Sequence, residues 1–156
     1  MPPPFCAIIF YMKILFTDGS ASPNPGPGGF AVLEKIGEEL KPVVLGREKD
    51  TTNIRMEASA IISAIEYAGE EGCEIHTDSE FWINVLEKWA DNWAKCGWKK
   101  SKGEIKNLDL VQKLHHLYHK YHVQLIWVHG HAGHIENELT DFWANRARKG
   151  QTSISA

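Results

Sequence analysis

Two apolar runs in this chain each terminate in an aspartate. Ile14-Leu-Phe-Thr-Asp18 leads into Gly-Ser and a Gly/Pro-rich stretch, and Cys73-Glu-Ile-His-Thr-Asp78 leads into Ser79. Both runs have the aromatic and β-branched content of strands. An Asp on a buried strand is costly unless something compensates its charge. Between the two runs, Phe30–Leu33 and Leu40–Leu45 read as further strands joined at Ile36-Gly37-Glu38-Glu39. Met56–Ala68 reads as a helix, because Ala58, Ala60, Ile61, Ala64, Ile65 and Ala68 recur at three-to-four spacing. The second Asp-tipped run therefore returns through a helix, which makes it parallel to the first.

The rest of the chain extends this pattern. The first strand is expected within the apolar run from Ala7 to Phe16, with Gly26-Pro-Gly-Gly29 as a turn. Ser79 is the expected N-cap of a helix through Trp82, Leu86 and Trp89, continued or followed by Asp91–Lys95. A helix over Asn107–Tyr121, a strand over Val123–His129 and a helix over Glu136–Arg148 complete the order. The expected fold is α/β: a mixed five-stranded sheet, three strands antiparallel and then two parallel, flanked by helices. Ligands in such sheets bind beyond the carboxyl ends of the parallel strands, where Asp18 and Asp78 would stand together.

A length of 156 residues suits one domain. Met12-Lys13 makes a natural start, so residues 1–11 are expected to be an extension, 12–149 the domain and 150–156 a polar tail. No stretch reaches the roughly 18 apolar residues of a membrane helix, and the first residues lack the pattern of a secretory signal. Three widely spaced cysteines, Cys6, Cys73 and Cys96, argue against a disulfide framework and fit the reducing cytoplasm. A monomer is expected.

Four acids stand out by position: Asp18, Asp78, Glu57 in the expected first turn of its helix, and Asp141 in the last helix. Singly, each has a local explanation, such as Asp before Gly in a turn or Glu at a helix start. Gathered together, carboxylates repel unless they share protons or bind cations. All-oxygen ligation suits Mg²⁺ or Mn²⁺, and two such ions about 4 Å apart can clamp the attacking and leaving oxygens of a phosphodiester.

Five stretches, in order and near the expected spacing, resemble type 1 ribonuclease H. They are Phe16-Thr-Asp18-Gly-Ser with Asn24-Pro-Gly-Pro-Gly-Gly29, Thr51-Thr-Asn-Ile-Arg-Met-Glu57-Ala, Thr77-Asp78-Ser79, Trp93 with Gly97-Trp98-Lys, and Trp127-Val-His-Gly-His131 through Asp141. Together they span essentially Met12 to Lys149. The resemblance implies a ribonuclease H-like fold and endonucleolytic hydrolysis of the RNA strand of an RNA·DNA hybrid, leaving 5′-phosphate and 3′-hydroxyl ends. It also implies two Mg²⁺ ions, with Mn²⁺ as a substitute. By resemblance Asp18 bridges both ions, Glu57 and Asp78 complete the one on the leaving-group side, and Asp141 holds the one that activates water.

His129-Gly-His131-Ala-Gly-His134 could also be read as a zinc cluster. Three ligands within six residues on a Gly-containing loop are not a standard structural site, and no Cys lies near. The resemblance makes His131 the loop histidine that assists proton transfer or product release, with Gly130 and Gly133 allowing motion. His115 and His119 share a helix face at i, i+4, which could bind adventitious metal or be simply solvated.

Between Lys88 and Lys106, six lysines stand against Asp91 and Glu104. This +4 segment leaves −7 for the rest of a chain whose total is −3. Trp89, Trp93 and Trp98 interleave with the lysines, as expected for phosphate binding. By resemblance this is a basic protrusion that grips the DNA strand, with Lys99, Lys100 and Lys102 on phosphates and Trp89 beside the sugar-phosphate. Asn24 and Asn53 correspond to minor-groove contacts, and Thr52 and Asn107 to a DNA-phosphate pocket. Ile54, Glu80 and Asp50 depart from the family pattern and bear on hybrid preference rather than on the acids. No separate hybrid-binding domain precedes Met12, so weak processivity is expected. A hybrid-binding module without catalysis and a resolvase or transposase-like nuclease are the competing readings. The complete acid set disfavours the first, and His131 with the Trp/Lys segment disfavours the second.

Overall fold

The computed structural model describes residues 12–129 and 134–154. Residues 1–11, the expected extension, lie outside the described residues, as does His131. Five strands form one sheet: β1 (Lys13–Ala21), β2 (Gly26–Ile36), β3 (Glu39–Thr51), β4 (Cys73–Thr77) and β5 (Val123–Trp127). Their order across the sheet is β3-β2-β1-β4-β5. β1–β2 and β2–β3 are antiparallel, while β1–β4 and β4–β5 are parallel. This is the mixed sheet expected from the element order.

The helices are α1 (Asn53–Ala68), α2 (Glu80–Asn84), α3 (Ala90–Lys95), α4 (Leu108–Lys120) and α5 (Ile135–Arg148). Between α2 and α3 the backbone widens into a π-helical stretch, Val85–Trp89, where the Ala90 N–H donates to the Val85 carbonyl. The alternating strand residues Leu15, Val32 and Ile75 meet the Ala/Ile face of α1. Trp82, Val85 and Leu86 close that core with Val111, Leu114 and Leu117 of α4. On the opposite face Ala144 of α5 packs with Phe16, Ala31 and Leu33.

Four expected boundaries shift, and each shift bears on the site. Asp18 does not end β1: the strand runs on to Ala21, because the β1–β2 ladder continues through Ala21↔Gly28. Gly26-Pro-Gly-Gly29 is not a turn but the first part of β2, and the bend falls at 22–25 instead. These glycines meet packing needs: a Cβ on Gly28 would overlap Thr51, and one on Gly29 would overlap the backbone of α5 at Arg148. α1 begins at Asn53 rather than Met56, since the Thr52 hydroxyl accepts from the Arg55 N–H at 3.2 Å and caps it. Glu57 thus lies in the second turn, not the first. β5 ends at Trp127, two residues before His129.

Candidate active site

The sheet register brings the acids together. The parallel ladder of β1 and β4 ends at Phe16↔His76. Thr17 and Thr77 follow, and then Asp18 and Asp78, each two residues beyond that last pair. Asp18 remains in strand conformation because it is still paired with Ala31 of β2. Its neighbour Gly19 lies against the main chain of α1, where a Cβ would overlap Met56 and Glu57. That close approach carries Glu57 to the strand ends. α5 contacts β1, β2 and β3, and it presents Asp141 from the other side. Asn145, one turn on, donates Nδ2–H to Asp141 Oδ2 at 3.2 Å. Ser20 Oγ lies 3.5 Å from Asn145 Oδ1.

Burial and mutual repulsion set the charge state of this cluster. Asp18 is 7% exposed; the Gly19 N–H donates to its Oδ1 at 2.9 Å. Burial above all, then the negative charge of Asp78, then Asp141 hold the Asp18 carboxyl well above the usual range. Burial pushes Glu57 up to about 7; the Ser79 hydroxyl opposes this and Asp78 adds to it. Asp78 is raised by burial and then by Asp141. Among the described residues Asp78 Oδ1 is buried without a hydrogen-bond partner. A set of oxygen donors that resists ionisation, with one buried oxygen unpaired, fits a hard divalent cation.

The RNase H family model matches residues 11–149. The chain belongs to the ribonuclease H family. Ribonuclease H of Dechloromonas aromatica is 44% identical over 134 residues, covering 85% of this chain and 90% of its own. Ribonuclease HI of Pasteurella multocida is 41% identical over 141 residues, covering 88% and 90%. Among solved structures, LC9-RNase H1, a type 1 enzyme with the type 2 active-site motif, superposes with a TM-score of 0.72 at 26% identity. The match covers 93% of this chain and 79% of that one. LC11-RNase H1, solved with an RNA/DNA hybrid, superposes at 0.63 with 23% identity, covering 88% and 96%. Ribonucleases H are divalent-metal-dependent endoribonucleases that cut the RNA strand of RNA·DNA hybrids by a two-metal mechanism, and this chain carries their fold.

In this ribonuclease H the expected substrate residues form two knots and a groove. Asn24 Oδ1 accepts from the Asn53 N–H at 3.1 Å, and Asn53 Oδ1 accepts from the Ala21 N–H at 2.6 Å. Both asparagines therefore stitch the 22–25 bend to the start of α1. Thr52 and Asn107 meet through Arg55: Thr52 caps its turn, and Asn107 Oδ1 accepts from an Arg55 terminal nitrogen at 3.2 Å. Asn107 stands before α4 in a left-handed conformation without a side-chain cap bond, so its amide serves Arg55 instead. Arg55 also forks onto Asp109 at 3.1 and 2.8 Å.

Trp89 is 40% exposed and leans on Phe81 and Trp93, with ring centroids 6.1 and 6.0 Å away. These rings line a cavity of about 390 Å³ with Ile54, Lys100, Lys106 and Asn107. Lys100 thus joins the groove, whereas Lys99 and Lys102 are exposed on the segment beyond. Glu80 and Asp50 are exposed as well. Arg55, Ser79 in its contact with Glu57, and Asn145 are functional candidates that sequence reasoning missed. Only Ser79 left a sequence signal, as a cap: its oxygen accepts from the Trp82 N–H, and its hydroxyl also opposes the rise of Glu57.

Proposed function

We propose that this chain is a Mg²⁺-dependent endoribonuclease that hydrolyses the RNA strand of RNA·DNA hybrids, with Asp18, Glu57, Asp78 and Asp141 as the ligands of two Mg²⁺ ions. The observation that carries the assignment is the buried cluster around Asp18, with the unpaired Asp78 Oδ1 beside it. Asp18 would help to hold both ions, with Glu57 and Asp78 as the further ligands of one and Asp141 of the other. Bound there, the ions supply Lewis acidity, lowering the pKa of water and offsetting charge on the phosphate. Mn²⁺ has the same preference for oxygen and substitutes.

The chain's own residues orient the substrate. Asn24 and Asn53 face the minor groove of the hybrid, where 2′-hydroxyls distinguish RNA from DNA. Thr52 and Asn107, fixed by Arg55, hold a phosphate of the DNA strand. Trp89 packs on a sugar, and Lys99, Lys100 and Lys102 neutralise phosphates along the groove. His131 moves a proton during turnover. The hybrid complex of LC11-RNase H1 supports this choice of substrate. Residues 12–149 act as the catalytic unit, residues 1–11 and 150–156 flank it, and the protein works as a cytoplasmic monomer. Among the described residues no helix is long and apolar enough to cross a membrane.

A gel assay comparing hybrid, double-stranded RNA and double-stranded DNA with Mg²⁺, Mn²⁺ or chelator tests the reading. Cleavage of the RNA strand of the hybrid alone, lost with chelator, is expected. Intact hybrid with both metals overturns it.

A further inference from the structure

Away from the carboxylate cluster, a second group of metal-ligating side chains joins two helices. His115 and His119 lie one turn apart on α4, with ring centroids 4.5 Å apart. Asp91 reaches across from α3. Its Oδ1 accepts from Nε2 of His115 and from Nε2 of His119, each at 2.9 Å. The three ligand atoms lie within 4.8 Å of one another. A tetrahedral zinc with bonds of about 2.1 Å needs ligand atoms about 3.4 Å apart, so small side-chain rotations open the site. Trp98 sets its edge against His115 at 5.3 Å and limits the freedom of that ring. His119 and Asp91 keep 51% and 56% of their side-chain surface exposed, which leaves room for water as a fourth ligand.

We propose that Asp91, His115 and His119 form a binding site for a divalent cation of the zinc class, clamping α3 to α4. Two imidazoles and one carboxylate suit Zn²⁺, Ni²⁺ or Cu²⁺, whereas Mg²⁺ prefers oxygen alone. Ligation needs the Nε2 lone pairs, so both rings turn to the Nδ1–H tautomer and the cation replaces the two hydrogen bonds to Asp91. The site stands at the root of the lysine-rich segment, which leaves α3 through Lys95. Occupancy therefore ties the base of that segment to α4. This inference is independent of the roles assigned to the carboxylate cluster.

The test is calorimetric titration of ZnCl₂ into the full chain in millimolar MgCl₂, which keeps the oxygen site occupied, paired with thermal melts. One equivalent of zinc is expected to bind and raise the melting temperature. His119→Ala and Asp91→Asn, both at exposed positions, should each weaken binding about tenfold or more while leaving the zinc-free melting temperature near that of the parent. Absence of zinc binding in MgCl₂ overturns the proposal. Equal binding by the parent and both variants also overturns it, since the ion would then reside elsewhere.

Discussion

Gly19 lies directly against the main chain of Met56, with no room for a β-carbon between them. One residue on either side of that contact stand Asp18 and Glu57. The spacing of two proposed ligands is thus set by backbone touching backbone. Gly19→Ala must push β1 and α1 apart. Overpacking of this kind costs about 1–3 kcal/mol, and a displacement near 1 Å in a catalytic constellation costs about 10²-fold in rate. We expect kcat on hybrid to fall about 10²-fold while the fold survives. A variant with parental kcat would show that the contact does not set the site.

Asp18→Asn should separate activity from stability. The substitution removes a buried carboxyl whose ionisation is opposed by burial and by Asp78 and Asp141. Cleavage is expected to fall to background, whereas the metal-free protein should melt higher. In a domain of this size each kcal/mol of relieved repulsion raises Tm by about 2–4 °C. Melting in EDTA, together with the gel assay, checks both halves.

The metal-free protein should lose stability as pH rises. Glu57 keeps its proton to about 7 in the folded state, against an ordinary value of 4.5. Between these values the folded state binds more protons than the unfolded one, so unfolding becomes easier with rising pH and levels off above 7. Asp18 and Asp78 act in the same direction. At about 1.4 kcal/mol per pH unit, the Glu57 contribution is on the order of 3–4 kcal/mol. Thermal melts from pH 4.5 to 8 in EDTA should show the decline, Glu57→Gln should shrink it, and Mg²⁺ should reverse it. A profile that rises with pH contradicts the charge balance described.

Arg55→Ala should raise KM for the hybrid about tenfold, the equivalent of 1.4 kcal/mol, with little change in kcat. Arg55 joins the Thr52 turn to Asn107 and Asp109 but does not belong to the acid cluster. Steady-state kinetics distinguishes this from a general loss of structure, which would lower kcat as well.

Replacing Lys100 with Ala should weaken hybrid binding and flatten its salt dependence. Each phosphate contact contributes about 0.7–0.9 to the slope of log affinity against log salt. Binding measured across a salt series checks this, and an unchanged slope would remove Lys100 from the phosphate contacts.

The acid pair was legible in the sequence because strand–helix–strand order fixes a parallel register, and the register places Asp18 level with Asp78. Ser79 was legible as a cap because that signal is local. Gly26–Gly29 was misread for a physical reason. Glycines in a turn and glycines under a packed helix look alike in sequence, and only the approach of α5 distinguishes them. Arg55 with Asp109 and Asp91 with His115 and His119 are tertiary meetings of residues 24 to 54 positions apart, for which no local pattern exists.

The widened turn at Val85–Trp89 has a consequence for how this helix could be re-aimed. Trp82 and Trp89 are seven residues apart, a spacing that an unbroken α-helix would keep on nearly one side. Instead Trp82 is fully buried and Trp89 is 40% exposed. The five-residue wide turn acts as a phase shifter: the half that anchors the core and the half that carries Trp89, Trp93 and the lysines are one rod cut into two rotational settings. Deleting a single residue there would restore an ordinary turn and rotate everything downstream by about 100°. The protrusion would face another way, and Ala90, Trp93 and Trp98 would leave the core they pack against, so the direction of the basic arm is locked to the packing of its own base.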